Sequence, residues 1–403
     1  MTKTSHLHPA DIRGISRLAF DATTGMTELV EAMHRNIAGV APILGTPRQG
    51  PTKGITGLVY GSVRGVTRLL GGGIDVLLGQ LVPLLGERRS SPEREVGLAA
   101  LNGVLGDHLV ATRNPLAISM RLRRNGHALD LNRQALAAAI PRPSGKLVVL
   151  LHGLCMSDLK WTRQGHNHGE ALEGHLGYTP VYLHYNSGLH ISSNGQAFAD
   201  LLEGLTALWP VPLQELAIIG HSMGGLVCRS ACHYGAAAGH DWLQHLRKIV
   251  FLGTPHHGAP MERGGNWVTV TLGASPYTSP FARLGRIRSA GITDLRYGSL
   301  LTEDWEGRDR FAHAGDQRQA VPLPDGVRCY AIGATTGKKA GDLKDKLLGD
   351  GLVPLESALG RHKDPSLTLP FPQSRQWIGY GMGHLDLLHR PEVYRQIRHW
   401  LAS

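Results

Sequence analysis

With 403 residues, 42% of them hydrophobic and 18% charged, the chain can bury a substantial core, which excludes the intrinsically disordered class. A formal net charge of +10 admits nucleic acid, an anionic membrane surface or acidic substrates as partners. No dense basic run with interleaved aromatics occurs, however, and no nucleic-acid-binding module is recognisable, so no nucleic acid partner is expected.

Residues 1–50 are mixed in character and lead into a Pro/Gly-rich linker, APILGTPRQGPTKG. The stretch 54–86 then repeats apolar residues at helical spacing: Ile55, Leu58, Val59, Val66, Leu69 and Leu70, resuming after a triple glycine with Ile74, Leu77, Leu78, Leu81 and Leu85. Arg64, Arg68 and Asp75 interrupt it too often for a membrane span. Helices packed on the main domain are expected, the alternative being an amphipathic surface that meets lipid peripherally or covers a pocket. The N-terminus lacks the basic start, apolar core and small-residue cleavage site of a secretory signal, so the expected location is cytoplasmic.

From residue 116 the pattern changes. LAISMRLRRNGHALDL predicts a hairpin, with Ile118, Met120 and Leu122 alternating before the Asn125-Gly126 turn and Leu129 and Leu131 alternating after it. Continuous apolar runs at 145–153, 179–187, 216–222, 247–255 and 327–334, with a sixth at 374–381, read as strands covered on both faces. A helix opens at Pro391. Strands alternating with helices imply an α/β fold: a mostly parallel sheet with helices on both faces, edged by the antiparallel hairpin. More than seventy residues separate the fourth strand from the fifth, a length the sheet does not require; 259–326 therefore reads as a lid or cap insertion. Residues 1–115 are therefore expected to form a helical N-terminal extension packed on the main domain, and 116–403 that main domain.

The chemistry centres on Gly220-His221-Ser222-Met223-Gly224, a G-x-S-x-G placed directly after a strand and before a helix. To lift a nucleophile above a sheet the chain must turn sharply, and small flanking residues keep that turn clear of its neighbours. The helix that follows aims its first amides at the serine, so Met223 is the first expected oxyanion donor. A serine hydroxyl needs a base, and the base needs an orienting acid. Downstream, Asp350 sits between Gly349 and Gly351, with Asp342, Asp345 and Asp294 as weaker competitors. His384 lies in the glycine-rich loop before the last helix and is the expected base, with His389 as rival. His152 and Gly153 end the first parallel strand, which makes Leu154 the expected second oxyanion donor and His152 a brace for the turn. His221, His256 and His257 are expected to line the site; the His256-His257 pair has no carboxylate at ligand spacing, so no metal is expected. Cys155, Cys228, Cys232 and Cys329 form no CxxC pair and read as small buried residues of a reducing compartment.

With HGL at 152–154, GHSMGG at 220–225, GTPHHG at 253–258, GDGLVP at 349–354 and GMGH at 381–384, the chain resembles the α/β-hydrolase superfamily. Within it, the resemblance is to bacterial lipases and GPI inositol-deacylase-like esterases. It covers residues 116–403 and does not extend to residues 1–115. It implies that Ser222 attacks an ester carbonyl with His384 as base, Asp350 holding the imidazole, and that no cofactor is required. Trp267, Val268, Val270, Leu272, Tyr277, Phe281 and Leu284 of the insertion would line an acyl pocket or form its own small core. The expected substrates are hydrophobic acyl esters, with polyesters, thioesters and acyl transfer within reach of the same machinery; the alternative is a non-catalytic lipid-binding module on the same fold.

Overall fold

The computed structural model describes residues 10–21 (Ile12 excepted), 92–259, 288–309, 315–338 and 349–403. The amphipathic stretch 54–86, the seven proposed acyl-pocket residues of the insertion, and Asp342 and Asp345 lie outside the described residues.

The chain divides into two compact units, 1–94 with 109–117, and 95–108 with 118–403. In the first, Arg94 clasps Asp11 at 2.7 Å, and the buried Asn114 amide donates to Gly14 O at 3.0 Å. In the second, an eight-stranded sheet runs in the order β2-β1-β4-β3-β5-β6-β7-β8. Its strands are β1 (Arg121–Arg124), β2 (His127–Ala128), β3 (Lys146–Leu151), β4 (Thr179–His184), β5 (Glu215–His221), β6 (Leu246–Leu252), β7 (Arg328–Thr335) and β8 (Gln376–Tyr380). β1 pairs antiparallel with β2 and β4, and every other pairing is parallel. The hairpin turn falls where the sequence asks for it, with Asn125 at φ 51° and Gly126 at φ 75°, both suited to a primed turn.

The central strands are apolar on both faces because both faces are covered. Leu150, Ile219, Val250 and Tyr330 stand side by side across β3, β5, β6 and β7. They pack with Leu172, Ile397 and Trp400 in one core cluster. Those partners come from α3 (His168–Leu176) and α6 (Pro391–Ala402), if the helices are numbered with α1 (Pro92–Ala111) and α2 (Arg133–Ala139) before them. On the opposite face α4 (Ile191–Ala207) packs against α5 (Met223–Ala238), and α5 lies on β5.

Residues 95–108 of α1, ahead of the boundary expected at 115, belong to the sheet-containing unit. Small residues permit the contact: Asn186 Nδ2 donates to Gly106 O at 3.0 Å, and a Cβ at Gly103 would lie 2.2 Å from Cys155 Sγ. The four cysteines are buried and form no disulfide. Among the described residues no helix is long and apolar enough to cross a membrane, and no cluster of three His, Cys, Asp or Glu is arranged to hold a metal ion.

Candidate active site

Parallel strands deliver their C-terminal ends to one edge of the sheet, and six loops leave from that edge. At the end of β5 the chain turns through Ser222 with φ 56° and ψ −126°, a left-handed-side conformation that costs a non-glycine residue of order 1–3 kcal/mol. The turn is over-determined by its surroundings. Ser222 N donates to Leu252 O at the end of β6, at 2.8 Å. A Cβ at Gly224 would lie 2.6 Å from Leu151 O and one at Gly225 only 2.0 Å from Thr254 Oγ1, so α5 starts against the backbone at the end of β3 and the Thr254 side chain after β6. Ser222 is 1% exposed, and its Oγ has no hydrogen-bond partner within the protein.

His384 and Asp350 form the second half of the constellation. The His384 imidazole donates from Nδ1 to Asp350 Oδ2 at 2.6 Å, while the other carboxylate oxygen accepts from the amides of Leu352 (3.0 Å) and Val353 (2.8 Å). His384 N also donates to Asp350 O at 3.0 Å, so backbone and side chain fix the pair together. The loops that carry them are stitched at their bases: Thr336 N donates to Gly349 O at 2.9 Å, and Met382 N to Thr335 O at 3.0 Å.

Two contacts bring this pair to the serine's side of the edge. A Cβ on Gly253, the residue after the carbonyl that receives Ser222 N, would lie 3.1 Å from both His384 Nδ1 and Cε1. The His221 ring, immediately before Ser222, has its centroid 4.6 Å from that of His384, and His221 Nε2 lies 3.3 Å from His384 O. Burial holds His221 well below the usual imidazole range, with the neighbouring His384 acting in the same direction. A neutral His221 leaves the adjacent imidazole free to take a proton without like-charge repulsion.

The expected oxyanion donors flank the serine. Met223 is the first residue of α5, and its N–H has no preceding carbonyl within the helix to meet. Gly153 abuts the nucleophile: a Cβ there would come within 3.0 Å of Ser222 Cβ, which sets the buried Leu154 alongside. His152 lies behind this turn. Its Nδ1 donates to Gly153 O at 2.9 Å, its ring stacks on Tyr185 at 4.3 Å, and burial pushes its pKa down to about 3. Tyr185 also donates its hydroxyl to His152 O at 2.8 Å.

The remaining candidates fall elsewhere. His256 and His257 leave the same edge, but their rings engage Arg229 and Arg318 around a separate cavity rather than the Ser222–His384 pair. Asp294 binds His190 at 3.0 Å and the amide of Ile191 at 2.8 Å, far from any role beside His384. His389 sits 3.3 Å from Leu385 O and lines a cavity with His166, His175 and Tyr394.

Sequence reasoning passed over Tyr185 and the buried group behind the oxyanion turn. There Asp158 meets His184 and Arg123, each at 3.1 Å, and Arg123 also holds Glu95 at 2.9 Å. Tyr185 lay in view at the end of an apolar run, where it read as strand; the charged group joins residues far apart in the sequence and carries no local signal.

Strand order, the serine elbow after β5 and the acid and histidine after β7 and β8 define an α/β-hydrolase fold. Residues 142–317 match the model of the family described as PGAP1-like alpha/beta domain. Among solved structures, lipase BlEst2 of Bacillus licheniformis in its mature form is 17% identical with a TM-score of 0.40, over 65% of this chain and 94% of that one. Lipase B of Aspergillus fumigatus is 12% identical with a TM-score of 0.39, over 69% of this chain and 59% of that one. A thermophilic esterase from Thermogutta terrifontis is 16% identical with a TM-score of 0.33, over 64% and 90%. No curated protein matches the sequence.

Proposed function

We propose that the protein is a serine carboxylic ester hydrolase acting on hydrophobic acyl esters through Ser222, His384 and Asp350. The observation that carries the reading is the buried His384–Asp350 pair, 2.6 Å long, packed on Gly253 while Ser222, strained and with an uncommitted hydroxyl, is tied to the carbonyl just before that glycine. Such an arrangement has a chemical purpose that a structural turn lacks. Ser222 Oγ attacks the ester carbonyl carbon as His384 Nε2 takes its proton, and Asp350 stabilises the resulting imidazolium. The carbonyl oxygen, now anionic, is received by the amides of Met223 and Leu154, a contribution of about 3–4 kcal/mol to the transition state. His384 then protonates the departing alcohol, leaving an acyl-serine. Water, deprotonated by the same imidazole, attacks that acyl group, and collapse of the second tetrahedral intermediate returns the serine and releases the carboxylic acid.

The test is hydrolysis of a p-nitrophenyl acyl ester series by the wild type and by Ser222→Ala. Turnover by the wild type, with loss of about 10³-fold or more in the variant, is expected. No turnover across the series, or equal rates for the two proteins, refutes the assignment. Extending the series in chain length, and to a polyester film, defines the substrate range.

A further inference from the structure

The cavity beside the loop after β6 has a composition that the hydrolytic site does not use. It measures about 130 Å³ and is lined by Arg229, Arg318, His256 and His257 together with the segments 319–322 and 366–370. At roughly 30 Å³ per water molecule, that is space for about four waters or one small polyatomic ion.

Two arginines and two histidines stand in a lining that is otherwise largely apolar. Arg229, on α5, is 4% exposed, and among the described residues no carboxylate stands within ion-pair distance of it. One guanidinium nitrogen meets Val321 O and another lies 3.4 Å from His256 Nδ1, while Nε is buried with no partner. Because His256 Nδ1 receives an arginine N–H, the ring's proton sits on Nε2, which is likewise buried and unpartnered. Arg318 donates to His256 O at 3.0 Å, to Tyr297 O and to His257 Nδ1 at 2.8 Å. Its Nε lies 3.4 Å from Asp316, among the described residues the one carboxylate within ion-pair distance. Nearby Asp304 is consumed by the amides of Leu300, Leu301 and Gln319. Asp364, at the rim, binds Ser366.

Two guanidiniums thus meet at this space with neutral imidazoles, and among the described residues Asp316 alone of the carboxylates stands within ion-pair distance of either. Burial and the neighbouring Arg318 push the Arg229 pKa down to about 10, still cationic at neutral pH. A buried charge without a counterion is strongly destabilising, and unpartnered donors add to the cost; an acceptor-only ligand relieves both at once. We propose that this cavity binds a small free oxyanion of the phosphate class, held between Arg229 and Arg318 with the His256 Nε2–H as a neutral donor.

The experiment is calorimetric titration of the full chain with inorganic phosphate at ionic strength held constant with sodium chloride, paralleled by thermal unfolding. Saturable one-to-one binding is expected, with a melting temperature that climbs with the logarithm of phosphate concentration. Arg318→Gln, which removes the guanidinium charge and leaves a polar side chain, should weaken binding about tenfold or more, and Arg229→Met should abolish the phosphate-dependent rise. Ser222→Ala should bind phosphate as the wild type does, which separates this site from the hydrolytic one. Absence of saturable binding overturns the proposal, as does unchanged affinity in Arg318→Gln; should Arg229→Met fail to fold, Arg318→Gln alone decides.

Discussion

Replacing Asp350 by asparagine tests the candidate site at the point where its geometry is most restrictive. One carboxylate oxygen accepts two backbone amides, from Leu352 and Val353, and the other faces His384 Nδ1 at 2.6 Å. The asparagine must choose which way round to sit. Turning its NH₂ toward the two amides would set donor against donors and forfeit two hydrogen bonds, about 2–6 kcal/mol in total. The NH₂ is therefore expected to face His384. Nδ1 must then accept rather than donate, which moves the ring's proton to Nε2, the atom that should receive the serine's. The base is lost with almost no change in shape. For a serine triad held in the wrong tautomer the loss is about 10⁴-fold in kcat, or about 5 kcal/mol of transition-state stabilisation. Folding stability should fall by only about 1.5–3 kcal/mol, the worth of one charge-assisted hydrogen bond. Steady-state hydrolysis of a p-nitrophenyl ester at neutral pH, with urea unfolding in parallel, reads both quantities. Asp294→Asn is the matched control, since Asp294 serves His190. If Asp350→Asn retains more than about one-tenth of the wild-type kcat, the orienting role assigned to Asp350 is wrong.

Two other perturbations probe the surroundings. Gly253→Ala places a methyl 2.8 Å from Leu387 Cδ1 and 3.1 Å from the His384 ring, at a φ of 55°; kcat should drop by about 10²-fold from a displaced imidazole, and unchanged kinetics would show that the ring is not seated there. The stability of the chain should also depend on pH through its buried histidines. His152 and His168 are held by burial at about 3, against 6.5 when unfolded, so between those values the unfolded chain binds more protons than the folded one. Stability is then complete above pH 6.5 and falls as the pH drops toward 3, by about 2 kcal/mol for each of the two at pH 5. Urea unfolding at pH 8 and pH 5 measures this, and equal free energies would contradict it.

The strands and the serine elbow are legible in the sequence because their constraints are local. β3, β5 and β6 read as unbroken apolar runs since both faces are covered, and an elbow after β5 demands small residues at Gly220, Gly224 and Gly225 within six positions. Asp350 stands out from Asp294 for a related reason: the loop that presents it is bracketed by glycines at φ 52° and φ 94°. What could not be read is which way a side chain on a loop faces. His256 and His257 occupy the right edge of the sheet, yet they turn to Arg229 and Arg318, guanidiniums supplied by a helix and by the insertion. The buried meeting of Glu95, Arg123, Asp158 and His184 is invisible for the same reason, being fixed by the pairing of β1 with β4 and the approach of α1.

The motifs also explain one another. The β5–α5 turn fits only because Gly224 lies against the carbonyls of Leu151 and His152, and because Gly225 lies against Thr254. The loop that holds Thr254 begins at Gly253, on which the His384 ring rests, and His384 is in turn bonded through its amide to Asp350 O. Each short motif is therefore a wall of the next, which is why their order along the chain carries more information than any of them alone. It follows that the site is positioned by backbone packing rather than by long side chains, so little reorganisation is required when charge develops on a bound ester. Alanine at Gly153, whose Cβ would meet Ser222 Cβ at 3.0 Å, should consequently behave as an active-site change, lowering ester turnover more than stability to urea, whereas a side chain at Gly224 or Gly225 should cost the fold itself.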